Sequence, residues 1–209
     1  MQWKRIALLT LCIVSLGTMP TNAATFKDVN TQHWYYSSVE RLVKHNILSG
    51  YEDGTFKPQQ PVTRAQAATI IANALRVNKE AIVPPRFTDV AKTNTHYEAI
   101  AALTKLGVFQ NSEQFFPQQS LTRKQMAKIL VEAFKLKSSG IVTYADVPPK
   151  SWAYEYIGIL GALGITTNQG DFYPNQAVTR AQLAAFIERT IDMKRKDNDN
   201  DIWDTWKNW

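Results

Sequence analysis

Cysteine is all but missing from this chain: Cys12 is the only one in 209 residues. It lies in an apolar stretch near the N-terminus, so the rest of the chain has no thiol to form a disulfide, hold a metal or attack a substrate. The disulfide scaffold common in small exported domains is therefore excluded, and packing alone must hold the fold. Histidine is nearly as scarce. His33, His45 and His96 are the three present, and no two share one helix at metal-ligand spacing. No glycine-rich phosphate loop and no nucleophile elbow occurs. Carboxylates are scattered, with no readable acid–base pair. The sequence thus reads as non-catalytic, with no cofactor and no metal. Nor does any apolar run reach the roughly 20 residues that a spanning helix requires.

The one apolar run worth noting covers residues 6–17, behind Lys4 and Arg5 and ahead of small and polar residues 18–23. This is the pattern of a secretory signal peptide. Cleavage is expected after Ala23, with Thr21 and Ala23 at the positions a peptidase reads. Cys12 leaves with it. Leu11, just before that cysteine, is not the small residue a lipoprotein signal needs. The mature protein is then expected to be soluble and outside the cytoplasm. The formal charge is +6, and losing Lys4 and Arg5 leaves +4. Mild basicity outside the cell argues against nucleic acid and for an anionic glycan or a membrane surface.

What the chain does have is one unit written three times. Each copy opens with an aromatic residue and then Asp-Val: Phe26 to Val29, Phe87 to Val90, Tyr144 to Val147. The period is 61 residues and then 57, measured from Asp28 to Asp89 to Asp146. A second aromatic follows at a near-constant offset: Trp34, Tyr97 (or His96) and Trp152. Then come apolar residues at helical spacing: Val39, Leu42 and Val43; Ile100, Leu103 and Leu106; Ile157, Leu160 and Leu163. Each first helix should stop at Asn46, Gly107 or Gly164, residues that tolerate the left-handed helix-ending conformation. An aromatic-proline loop leads to a second helix. We read three helix-loop-helix units, an all-α protein. One such unit cannot bury its own apolar face, so the units must pack on each other. Three copies favour a closed pseudo-threefold cluster over an open solenoid with capped ends.

Every second helix opens on Thr-Arg-x-Gln. Thr63 with Gln66, Thr122 with Gln125 and Thr179 with Gln182 have the spacing of a capping box. Val62, Leu121 and Val178, just before them, suit a hydrophobic staple. The arginines Arg64, Arg123 and Arg180 are not explained by helix initiation. A cation in the first turn faces the positive end of the macrodipole, and the sequence accepts it three times. Two readings stand. Each arginine, beside the free amides of a helix N-terminus, could hold an anion such as a carboxylate. Or each pairs with a structural carboxylate, Asp28, Asp89 or Asp146.

The combined phrases Phe-x-Asp-Val, Trp-x-Tyr, Gly-Tyr-Glu-Asp-Gly-Thr-Phe-x-Pro and Val-Thr-Arg-Ala-Gln resemble the S-layer homology (SLH) domain family. The resemblance runs from about Phe26 to about Arg195. It implies a trimer of repeats around a central three-helix bundle, with grooves that bind secondary cell wall polysaccharide, typically at pyruvylated sugars. Such binding attaches proteins noncovalently to the bacterial cell surface. A pyruvyl ketal carries a carboxylate, a fitting ligand for the arginines. The family's groove role is carried to Arg64, Arg123 and Arg180, with Gly50 and Tyr51 lining the groove of the first unit. Asp28, Asp89 and Asp146 are candidates beside them. Gln replaces the usual Glu of this phrase in all three units, and Lys124 adds a cation next to Arg123. The loops of units two and three are two residues shorter and lack a counterpart of Gly50-Tyr51. The groove on unit one is therefore expected to bind best. Trp34 and Trp152 could stack on a sugar, although aromatics in such positions are more often core.

The expected divisions are a signal peptide at 1–23, repeats at 24–85, 86–142 and 143–195, and a tryptophan-rich tail at 196–209. In the tail, Asp197, Asp199 and Asp201 alternate like the start of a calcium loop. Ile202 stands where that loop needs Gly, and Asn208 where it needs Glu, so an EF-hand is rejected. Trp203, Trp206 and Trp209 could share one face and meet a protein or a membrane, or fold back on the domain. A rival to glycan binding is a protein-interaction module at the cell envelope, with degenerate grooves, acting through this tail.

Overall fold

The computed structural model describes residues 25–79, 82–167 and 169–197. The signal segment and the tryptophan triplet lie outside them. Six helices follow in order: α1 (Tyr36–Lys44), α2 (Arg64–Ala74), α3 (Tyr97–Lys105), α4 (Arg123–Phe134), α5 (Tyr154–Ala162) and α6 (Arg180–Asp197). No strand forms among the described residues, and no described helix is long and apolar enough to cross a membrane. Each unit contributes a short first helix and a second helix.

The ends of these helices follow from local sequence. Asn46, Gly107 and Gly164 all adopt positive φ, at 58°, 77° and 67°. Thr63 Oγ1 accepts the Gln66 amide at 3.2 Å, and Gln66 Oε1 accepts the Thr63 amide at 3.1 Å. The same reciprocal pair joins Thr122 to Gln125 and Thr179 to Gln182. Such a cap contributes about 1 kcal/mol. The first helices have no side-chain cap, and at nine residues each they are too short to persist alone. Tertiary packing must hold them.

That packing crosses the unit boundaries. Helix α2 packs on α3, α4 on α5, and α6 on α1, while α6 also touches α2 and α4. Each seam joins the second helix of one unit to the first helix of the next, and the last seam returns to the start of the chain. Polar bonds mark all three: Thr69 Oγ1 with His96 Nδ1 at 2.8 Å, Tyr156 donating to Glu132 at 2.9 Å, and Arg41 to Asp192 at 2.7 Å. Ser38 also donates to Glu188.

The backbone closes the same ring. The Val62 amide donates to the Val178 carbonyl at 2.9 Å, Val178 to Leu121 at 2.8 Å, and Leu121 to Val62 at 2.8 Å. All three side chains are fully buried. In each unit a buried phenylalanine, Phe56, Phe115 or Phe172, packs on the opening aromatic, with ring centroids 5.5, 5.2 and 5.5 Å apart.

Candidate functional site

The loop before each second helix is built on one aspartate. Asp28 accepts the amides of Phe56 and Lys57 at 2.7 and 2.8 Å, one on each carboxylate oxygen. Asp89 does the same for Phe115 and Phe116, and Asp146 for Phe172 and Tyr173. The second residue of each pair, Lys57, Phe116 or Tyr173, is left-handed, with φ of 56°, 60° and 59°. A non-glycine residue there costs roughly 1–2 kcal/mol. Two charge-assisted bonds and the proline that follows hold it in place. These carboxylates hold the loop, each oxygen accepting one backbone amide.

The phenylalanine peptide held by the aspartate then receives an arginine from another unit. Arg64 Nε donates to Phe115 O at 2.9 Å, Arg123 Nε to Phe172 O at 2.7 Å, and Arg180 Nε to Phe56 O at 2.6 Å. Each guanidinium also lies over that phenylalanine ring, at 4.7, 4.5 and 4.5 Å. Neither reading of the arginines from sequence describes this. They form no ion pair with the aspartates among the described contacts, although Asp89, Asp146 and Asp28 oppose the downward pKa push that burial exerts on Arg64, Arg123 and Arg180. The helix amides are not free for an anion either. Those of Arg64 and Ala65 donate to the carbonyls of Gln119 and Pro117, and the other two units repeat this.

The arginines differ in what remains to them. Arg180 also donates from Nη2 to Ser49 O at 2.7 Å, and Tyr51 covers it at 4.9 Å. The Tyr51 ring carries a second cation, Lys57 Nζ, at 4.1 Å. Arg123 is only 4% exposed and lies between Phe172 and Phe186, yet its Nη2 has no hydrogen-bond partner among the described residues. A buried donor left unpaired costs about 1–3 kcal/mol. Arg64 is partly exposed.

Two cavities show the surroundings of these groups. One of about 340 Å³ is lined by Arg64, the unit-two loop including Phe116, the α4 residues Gln125 and Lys128, and Trp152 from unit three. One of about 240 Å³ is lined by Arg123, Thr167, the α6 residues Gln182, Phe186 and Arg189, and Trp34 from unit one. Each groove thus takes an arginine from one unit, a loop and a second helix from the next, and a tryptophan from the remaining unit. Trp34 and Trp152 are 60% and 52% exposed, wall residues and not core.

Several placements differ from the sequence reading. Measured from the aspartates, Trp34 and Trp152 stand two residues before the helix start, and the residue there in unit two is Thr95. Tyr97 is instead buried as the first residue of α3, with His96 at the cap position bonded to Thr69. Lys124 does not join Arg123. Its Nζ lies 5.9 Å from the Trp152 ring, on the Arg64 groove, while Arg123 faces the other one. A Cβ on Gly50 would overlap the Phe26 ring, so glycine there serves packing. Arg189 was missed. Gln182, Phe186 and Arg189 have the spacing of one helix face, which is the signal that could have found it.

Three interdigitated helix-loop-helix units, each with an arginine docked on its neighbour's loop, match a known repeat. The model of the S-layer homology domain fits residues 25–68, 86–127 and 143–184. The chain belongs to the S-layer homology domain family. It is 34% identical over 194 residues to the surface-layer 125 kDa protein of Lysinibacillus sphaericus, covering 88% of this chain and 16% of that one. It is 35% identical over 190 residues to the S-layer protein sap of Bacillus anthracis, covering 87% and 23%. An uncharacterized cell wall amidase of the same species is 38% identical over 200 residues, covering 88% and 36%. The chain therefore spans well under half the length of these relatives.

Proposed function

We propose that this chain is a secreted, non-catalytic module that binds an anionic, pyruvylated secondary cell wall polysaccharide and so attaches noncovalently to the bacterial cell surface. The observation that carries this is the repeated groove: a cross-unit arginine and an exposed tryptophan lining one cavity, which offers a cation for a carboxylate and an indole for a sugar face. Family membership and surface-layer relatives support the same location. We read the architecture as a pseudo-threefold trimer, with α2, α4 and α6 as its central bundle. Its repeats are 24–85, 86–142 and 143–195, behind a signal peptide cleaved after Ala23. Arg64, Arg123, Arg180, Lys124, Trp34 and Trp152 are the proposed contact residues. Gly50 and the three aspartates shape the grooves.

Calorimetric titration of the secreted chain with purified wall polysaccharide tests this. Native polysaccharide should bind, and chemically depyruvylated polysaccharide should bind at least tenfold more weakly. Equal binding of both would remove the carboxylate from the reading. No binding of either, by chain shown to be folded, would favour the envelope interaction module acting through Trp203, Trp206 and Trp209.

A further inference from the structure

The same place occurs three times with different residues. The second-helix position that bonds the loop carbonyl is Asn73 in unit one, donating to Ile47 O at 3.5 Å, and Arg189 in unit three, donating to Ile165 O at 3.2 Å. In unit two it is Glu132, held by Tyr156. Trp152 stands on the unit-two groove and Trp34 on the unit-three groove, and the position equivalent to them in sequence is Thr95 in unit two. Only the unit-three groove combines a tryptophan wall with a second guanidinium at that helix position.

Resting on the glycan reading, we infer that the cavity beside Arg123 is this chain's principal carboxylate site, with Arg189 and Trp34 as its specificity-determining residues. Three observations carry this. Arg123 is 96% covered, lines the cavity and keeps an Nη2 with no partner among the described residues. Arg189 brings a second planar cation to the same cavity, and two guanidinium groups suit the two oxygens of a carboxylate. Trp34 stands 60% exposed on the remaining wall, an aromatic face on which a sugar ring can stack. Beside Arg180 the opposite holds. Its Nε and Nη2 are both spent on carbonyls of the unit-one loop, and Tyr51 lies over it under a second cation, Lys57. Tyr51, one of the two extra residues that make the unit-one loop look most complete in sequence, thus covers its arginine. The ligand class is an acidic sugar presented singly, in keeping with a cavity of about 240 Å³.

The test exchanges residues for those the chain itself carries at the equivalent places, so folding is not put at risk. Full chain is titrated with native and depyruvylated wall polysaccharide as wild type, Arg189→Asn, Trp34→Thr and Trp152→Thr, with far-ultraviolet circular dichroism as a check of fold. Arg189→Asn and Trp34→Thr should each weaken native binding tenfold or more, and Trp152→Thr should weaken it less than Trp34→Thr. The penalty for Arg189→Asn should shrink on depyruvylated polysaccharide, which separates carboxylate capture from a change in shape. Wild type that binds while Arg189→Asn and Trp34→Thr leave affinity within twofold would overturn this site and keep the glycan reading. A larger loss from Trp152→Thr would move the principal site to the Arg64 groove. Folded wild type that binds neither polysaccharide would overturn both readings.

Discussion

Asp89 shows how much of the groove rests on single side chains. Its two oxygens hold two successive amides at 2.8 and 2.7 Å, and the second belongs to left-handed Phe116. Asparagine in its place keeps one acceptor and turns an NH₂ group toward an amide that is itself a donor. Asp89→Asn should therefore cost about 1.5–3 kcal/mol, the range for hydrogen bonds to a charged group. A urea titration would show it as a lower midpoint with unchanged slope. A shift below about 0.5 kcal/mol would mean that the loop keeps its shape without the carboxylate. The residue scale is also where the sequence was least legible. Caps and helix-ending residues could be read because their partners lie three or four positions away. The arginine partners could not, because a backbone carbonyl leaves no mark on composition and these lie 49 to 124 residues distant. For Trp34 and Trp152 the sequence left core and groove open for a related reason. An aromatic at a helix start looks the same in sequence whether it faces the core or a groove.

At the scale of elements, the sequence showed six helices and a threefold repeat, but not which helix meets which. Apolar spacing gives a face and not its partner. The seams between α2 and α3, α4 and α5, and α6 and α1 are each closed by a different polar pair, which makes them separable by experiment. At the α2–α3 seam the fold shifts the titration of His96. Burial between α2 and α3 lowers its pKa, so the folded state resists the proton. An unfolded histidine takes it up near pH 6.5. As pH falls below that value the unfolded chain binds more protons than the folded one, and stability must fall with it. The contribution is complete above about pH 6.5 and is lost on the way down through the folded pKa. His96→Gln, which keeps a polar partner for Thr69 but does not titrate there, should flatten this part of the curve. Thermal melts of both proteins at steps from neutral to mildly acid pH would show the two curves parting on the acid side. Parallel curves would mean that His96 takes its proton as readily folded as unfolded.

On the scale of the whole molecule, closure is the property that matters most, and it makes a prediction that an open stack of repeats would not. In a solenoid each repeat meets only its sequence neighbours, and removing a terminal one leaves a shorter, weaker, folded array. Here α6 of the last unit covers α1 of the first, Val178 completes a three-membered ring of backbone bonds with Val62 and Leu121, and Phe172 supplies the carbonyl that Arg123 requires. Removing residues 143–209 would leave α1 and α4 without their partner helices and would leave the Val62 amide without an acceptor. The two remaining units should not form a shortened native fold. The intact chain should unfold in urea as one transition, with tryptophan fluorescence and far-ultraviolet circular dichroism tracing the same curve. The shortened chain should show no cooperative transition. If it instead unfolds cooperatively with native-like helix content, the units are independent and the grooves between them are contacts of convenience. If it does not, each groove exists only when all three units are packed together, and binding a ligand in any one of them stabilises all three units together.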